Sequence, residues 1–282
     1  MELVHTTTSD QLRLDGLWQA PTSGSNQAVL LLHGVGGTFY GTSLLSSIGQ
    51  RLLESGYGVL RANTRGHDVV SLAQVQDRFR FEGAAFEQLS RCPRDIAAWL
   101  ELMAERGVKK SIVIGHSLGA LKAVYAAAHD PTASPDILIS LSAPQLSYTK
   151  LMNGPEGESF AKTMEQAQQH VQQARYSELM QVKTPVPMII TAATYVDKYG
   201  PEERYNFANF AHLVNCPSYY IYGELELTDK NAAFSAALST LKSLPFKTNT
   251  PDFEIISGAN HFYHDRFDEV TQAVLEWLSA SK

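Results

Sequence analysis

The chain has almost no cysteine. Among its 282 residues only Cys92 and Cys216 carry a thiol, and they are far apart in sequence. Two such cysteines build neither a disulfide framework nor a metal box, so a pair of ordinary buried thiols is expected. Basic residues are not in excess either. The formal net charge is −6, the wrong sign for a chain whose main partner is nucleic acid or an anionic membrane. No apolar run approaches the roughly 20 residues of a membrane span, and the first dozen residues hold no signal-like apolar stretch. Internal repeats, blocks of like charge and low-complexity tracts are missing as well. These absences predict a cytoplasmic chain with no nucleic-acid or membrane partner, no metal and no cofactor. What is present is 44% hydrophobic over 282 residues, enough for one large α/β core carrying an insertion.

Short apolar runs alternate with amphipathic stretches. Residues 2–8 and 11–20 flank Ser9-Asp10 and read as a hairpin, followed by a turn over 21–26. Residues 28–32 (Ala-Val-Leu-Leu-Leu) are continuously apolar, the mark of a strand buried on both faces. Further strands are predicted at 57–62, 111–114, 136–141, 218–222 and 253–256. Helices are predicted at 44–53, 92–106, 118–129, 231–241 and 268–278. This alternation specifies parallel βαβ units, hence a doubly wound sheet with helices on both faces. The long segment 142–217 breaks it. There, 158–179 reads as a helix with Phe160, Met164, Ala167, Val171 and Ala174 on one stripe. The piece 187–213 is rich in aromatics. The expected division is a core of 1–144 and 216–282 with a helical cap of 145–215. Most cap aromatics are expected to form cap core and some, Tyr195 and Tyr199 among them, to line an apolar pocket.

Four segments carry chemistry. Gly115-His116-Ser117-Leu118-Gly119 reads G-x-S-x-G, with a strand before it and a helix after it. In that setting a serine sits on a sharp turn with its oxygen projecting from the sheet end. A serine hydroxyl is a weak nucleophile and needs a base, and the base needs an orienting group. His261, in the loop after the last strand, is the expected base, with His264 as competitor. The latter stands beside Asp265 near the start of the final helix, a place that suits a cap. The orienting acid is expected after the preceding strand, where Glu224, Glu226 and Asp229 compete. Glu226 is preferred, Asp229 having an alternative job as the N-cap of the helix 231–241. Two backbone N–H groups are expected to form an oxyanion hole, that of Leu118 and, from His33-Gly34-Val35-Gly36-Gly37, that of Val35. Each is worth roughly 3–4 kcal/mol by analogy with a side-chain donor. Tyr40, His116, Tyr195 and Tyr199 are the residues expected to bind substrate.

With His33-Gly34, Gly115-His116-Ser117-Leu118-Gly119, Gly223 with Glu226, and Asn260-His261-Phe262 in this order, the chain resembles the α/β-hydrolase superfamily over almost its whole length. The resemblance implies an α/β fold with an eight-stranded, mostly parallel sheet and a helical cap inserted after strand six. It also implies a serine esterase that cleaves a small-molecule carboxylic ester or thioester through an acyl-enzyme, with no cofactor. Two positions depart from the pattern: a glutamate stands where aspartate is usual, and Asn260 where glycine commonly precedes the histidine. Residues 63–67 and 191–199 are faintly similar to a group that includes fungal siderophore esterases. Haloalkane dehalogenases and epoxide hydrolases of this fold use Asp where this chain has Ser117. A carbon–carbon bond hydrolase of a diketone, served by Arg65, His67, Tyr40 and the cap tyrosines, stays open, as does a ligand-sensing protein.

Overall fold

A computed structural model describes residues 1–22, 24–229 and 231–281. Ser23, in the turn expected over 21–26, lies outside the described residues. The first hairpin forms as the alternation predicts, β1 (Glu2–Thr7) antiparallel to β2 (Arg13–Gln19). The apolar runs become β3 (Gln27–Leu32) and β4 (Gly58–Ala62). A separate hairpin of β5 (Ser71–Val75) and β6 (Arg78–Glu82) follows. It was not expected, because its strands carry polar and charged residues and bury little. Next come β7 (Lys110–His116) and β8 (Ile137–Leu141). A second small hairpin, β9 (Leu179–Val182) with β10 (Met188–Thr191), stands inside the insertion. The chain then returns to the sheet as β11 (Ser218–Gly223) and β12 (Asp252–Ile256).

The main sheet has eight strands in the order β1-β2-β4-β3-β7-β8-β11-β12. Strand β2 meets β4 antiparallel, and every pairing from β4 to β12 is parallel. Successive side chains of a strand point to opposite faces, and here both faces are core. Ala28, Leu30 and Leu32 of β3 join one cluster with Val113, Leu138, Tyr220 and Tyr222. Val29 and Leu31 join the other with Ile112, Ile114, Ile139 and Ile221. That is why these strands read as continuous apolar runs.

Helices cover both faces. α1 (Ser43–Glu54) shares its face with the final helix, and α2 (Cys92–Glu105) packs with α3 (Leu118–His129) on the other. Cys92 and Cys216 are free, buried thiols. Among the described residues no helix is long and apolar enough to cross a membrane.

The insertion after β8 holds α4 (Tyr148–Met152), α5 (Gly157–Gln172), the β9–β10 hairpin, α6 (Ala192–Tyr199) and two short 3-10 turns. It is therefore less purely helical than expected. The helix predicted over 158–179 stops at Gln172, since Ala174 takes φ 58° and its N–H bonds back to Val171. Ala174 is exposed, whereas Phe160, Met164 and Ala167 are buried. The short α7 (Glu224–Thr228) follows β11, then α8 (Ala237–Ser243), with α9 (Phe267–Ala280) closing the chain. The helix expected over 231–241 thus begins later. Asn231, not Asp229, makes the local side-chain turn, accepting from Ala233 N–H.

Candidate active site

Four loops leave the C-terminal ends of parallel strands and meet at one edge of the sheet, the edge where open α/β sheets bind ligands. The first leaves β7. Ser117 joins β7 to α3 with φ 56° and ψ −124°, a strained conformation for a residue with a side chain. Its N–H donates to Leu141 O of β8 at 2.8 Å. A Cβ on Gly115 would strike the Gly119 backbone, and a Cβ on Gly119 would strike the carbonyls of Leu32 and His33. Strand and helix can cross this tightly only with glycine at both places.

The second loop leaves β12. His261 Nε2 lies 3.0 Å from Ser117 Oγ, and His261 Nδ1 lies 2.7 Å from Glu226 Oε2. A carboxylate only accepts, so Nδ1 carries the proton and Nε2 presents its lone pair to the serine hydroxyl. The His261 side chain is 21% exposed, open enough for a substrate to reach it. Phe234 and Phe262 flank the imidazole, at centroid distances of 4.6 and 5.0 Å.

Glu226 comes from the turn after β11 and is 5% exposed. Its Oε1 accepts from Gly223 N–H at 2.8 Å and from the Ser142 hydroxyl at 2.5 Å. The competing acids are elsewhere. Glu224 is exposed and accepts from the Ser257 hydroxyl and Gly258 N–H, while Asp229 is exposed at the end of α7. His264 is also exposed and stacks on Phe262 at 5.6 Å. It does not cap the last helix, which starts at Phe267 after Arg266.

The fourth loop, after β3, lies over the serine. A Cβ at Gly34 would come within 3.1 Å of Ser117 Cβ. His33 fixes this loop from beneath. Its Nε2 accepts from Thr64 N–H at 3.2 Å, so Nδ1 carries a proton and donates to Gly34 O at 2.8 Å. Burial, helped by Lys122, lowers its pKa to about 4 and keeps it neutral. The turn closes with Gly37 N–H on Gly34 O, and Gly36 takes φ 61°. Val35 is exposed at this loop, and Leu118 opens α3, where the first N–H groups have no acceptor within the helix.

Of the four residues expected to bind substrate, only Tyr40 is solvent-exposed. His116 is buried, and its Nε2–H donates to His261 O at 2.8 Å, so it supports the histidine loop from behind. Burial, and then the neighbouring His261, lowers the His116 pKa to about 3. Tyr195 is wholly buried and donates to Thr184 O at 2.9 Å. Tyr199 is buried against Met188. Both belong to the core of the insertion, as the aromatic density of 187–213 allowed. Arg65 is unavailable too, being buried and held by Asp95 and Asp10, and His67 Nδ1 pairs with Asp68.

Ser142, Tyr263 and Phe234 adjoin the site without having been singled out from the sequence. Tyr263 is two residues from His261, which is a usable signal. Ser142 has only its place at the end of a strand.

A serine–histidine–carboxylate array on loops at the C-terminal edge of a mostly parallel eight-stranded sheet defines the α/β-hydrolase architecture. The chain belongs to the alpha/beta hydrolase family, whose model matches residues 29–273. No curated protein sequence matches it. Solved structures of this fold do. The α/β hydrolase GrgF from Penicillium sp. sh18 superposes with a TM-score of 0.73 at 16% identity, over 99% of this chain and 98% of that one. Est1E from Butyrivibrio proteoclasticus, with ferulic acid bound, gives 0.66 at 18% identity over 98% of each chain. The monoacylglycerol lipase of Paleococcus ferrophilus gives 0.66 at 17% identity over 100% of each.

Proposed function

We propose that the protein is a serine hydrolase that cleaves small-molecule carboxylic esters or thioesters through an acyl-enzyme. The observation that carries this reading is the unbroken hydrogen-bond chain Ser117–His261–Glu226, at 3.0 and 2.7 Å, with the serine on a strained turn. Ser117 Oγ attacks the carbonyl carbon while His261 Nε2 takes its proton. The imidazolium that forms is stabilised by the buried Glu226 carboxylate. The negative charge arriving on the carbonyl oxygen is met by the N–H groups of Leu118 and Val35. His261 then returns the proton to the leaving oxygen or sulfur as the tetrahedral intermediate collapses to the acyl-enzyme. Water, deprotonated by the same histidine, repeats the sequence and releases the acid.

Phe234 and Phe262 beside the base, with Val35 exposed on the loop over the serine, favour an apolar acyl or aryl group over a charged one. Carbon–carbon cleavage is disfavoured because Arg65 is committed to Asp95 and Asp10. The segment 145–215 is assigned as the cap and the rest of the chain as the catalytic core, working in the cytoplasm.

The test is hydrolysis of p-nitrophenyl acetate and butyrate together with labelling by a fluorophosphonate. Multiple turnovers and a single adduct on Ser117 are expected. An enzyme that labels elsewhere overturns the mechanism, and one that reacts about once and stops favours a ligand sensor.

A further inference from the structure

Aspartate is the usual acid in this fold, and Glu226 has one more methylene and one more torsion to fix. A longer side chain can hold a histidine only if something holds the carboxylate. Gly223 N–H supplies one constraint from within the same turn. The other comes from a residue 84 positions earlier, Ser142, whose hydroxyl donates to Glu226 Oε1.

Ser142 is itself held. It follows β8 directly, is wholly buried and takes φ 54°, a left-handed conformation uncommon for serine. Its N–H donates to Ile221 O of β11 at 2.8 Å, and its Oγ lies 2.8 Å from the hydroxyl of Tyr263. Tyr263 is also wholly buried with φ 56°, and its hydroxyl is 3.1 Å from Ile221 O. The proton count gives the direction. The single proton of Ser142 goes to the carboxylate, so Tyr263 O–H donates, shared between Ser142 Oγ and Ile221 O. Burial, and then the nearby Glu226, raises the Tyr263 pKa well above its ordinary value, so the hydroxyl stays protonated as the donor this order needs.

We propose that Ser142 and Tyr263 are positioning residues that fix the Glu226 carboxylate on His261. The order is Tyr263 O–H to Ser142 Oγ, Ser142 O–H to Glu226 Oε1, and His261 Nδ1–H to Glu226 Oε2. All four groups stand on the segments that follow β8, β11 and β12. The relay therefore ties together the strand ends that carry the acid and the base, and Tyr263 is only two residues from the histidine it serves. Non-glycine residues with positive φ are costly and cluster where function demands them. Ser117, Ser142 and Tyr263 are three such residues joined by one network. The inference rests on the triad reading above.

The test is a double-mutant cycle on p-nitrophenyl butyrate with Ser142→Ala, Tyr263→Phe and Glu226→Gln. Ser142→Ala is expected to lower kcat about 10–100-fold, by analogy with the loss of an outer hydrogen-bond partner at metal sites, with KM nearly unchanged. Tyr263→Phe is expected to have a smaller effect in the same direction, and serves alone if Ser142→Ala does not fold. With one donor fewer on Glu226, its charge bears more fully on His261. The basic group governing kcat/KM should then titrate at higher pH in Ser142→Ala. In the Glu226→Gln background both substitutions should cost little more. Losses that multiply with that of Glu226→Gln, or an unmoved pH profile, mean a merely structural role and overturn the proposal. If Glu226→Gln itself is near wild type, the triad reading fails and this inference with it. If Glu226→Gln is crippling and both Ser142→Ala and Tyr263→Phe are near wild type, only this inference fails.

Discussion

Two buried carboxylates show what distinguishes the acid proposed for catalysis from a structural one. Glu226 is 5% exposed and Glu87 is 2% exposed. Glu87 sits between two lysines, Lys122 on α3 and Lys198 on α6, and so clamps the insertion to the core. Burial raises the Glu87 carboxyl, but Lys122 and Lys198 outweigh it and the net direction is down. Its charge is answered before anything binds. Among the described residues Glu226 has no ion pair with a lysine or arginine. It faces a histidine, the Ser142 hydroxyl and a backbone N–H. Its charge is fully answered only when His261 takes a proton, which is the event the proposed chemistry needs. The carboxylate proposed for catalysis leaves room for a cation that comes and goes, and the structural one does not.

The largest expected effect tests the end of that chain. Ser117→Ala should lower kcat on a p-nitrophenyl ester by on the order of 10⁶, and His261→Ala should be nearly as severe, with the double variant hardly worse than either. Steady-state rates of the three proteins, with circular dichroism as the folding control, decide this. Activity of Ser117→Ala within tenfold of wild type removes the serine from the mechanism.

Glu226→Gln should cost roughly 10²–10⁴ in kcat, because an amide holds the imidazole but no longer stabilises the imidazolium. Asp229→Asn should leave kcat alone, its side chain being exposed and away from His261. Reversed severities would move the acid to Asp229 and dissolve the contrast between the two carboxylates.

Glu87→Gln should instead show up in stability. It leaves two lysines buried without their shared counter-charge, a loss of about 3–5 kcal/mol for a broken buried pair. Denaturant melts measure it. Lys198→Met should cost less, because removing one cation leaves Glu87 matched one-to-one with Lys122. If Lys198→Met proves the worse of the two, the second lysine is needed and the cluster's balance has been misjudged.

Much of this was legible beforehand for physical reasons that also mark the limits. Strands buried on both faces must be apolar throughout, so β3, β7, β8 and β11 announced themselves. A nucleophile turn needs small residues around Ser117, which leaves a motif. Glu226 stood at the right distance after Gly223. The hairpin at 71–82 was invisible because it buries little, and that at 179–191 because each of its strands is only 4 residues long. Local propensity misjudged α5, where Ala174 turns left-handed without a glycine to signal it. Side-chain direction was out of reach. Tyr195 and His116 are of the types that line pockets, yet both point into core. Ser142 meets Glu226 only because β8 and β11 are neighbours in the sheet, a pairing that no spacing encodes.

A third way to bury a titratable group is to keep it neutral, and His33 and His116 do so, with pKa values lowered from 6.5 to about 4 and about 3 by burial first. This separates them from the carboxylates on the pH axis. An unfolded chain takes up these protons below about pH 6.5, whereas the folded chain refuses them until pH 4 or 3. Their contribution to stability is thus complete above pH 6.5 and is lost as pH falls toward 3–4, at up to about 1.4 kcal/mol per pH unit for each group. The Glu87 carboxyl, lowered from 4.5, contributes above that value and is lost only as pH falls further. Unfolding free energy measured from pH 7 to pH 3 should therefore begin to decline before the Glu87 carboxyl titrates. His116→Gln keeps a donor for His261 O and removes one of the two protons, so it should flatten the slope between pH 6 and pH 5 by about half. An unchanged slope would show that His116 is not among the groups being titrated. A flat wild-type profile down to pH 5 would mean that both imidazoles find protons in the folded state more easily than their burial allows.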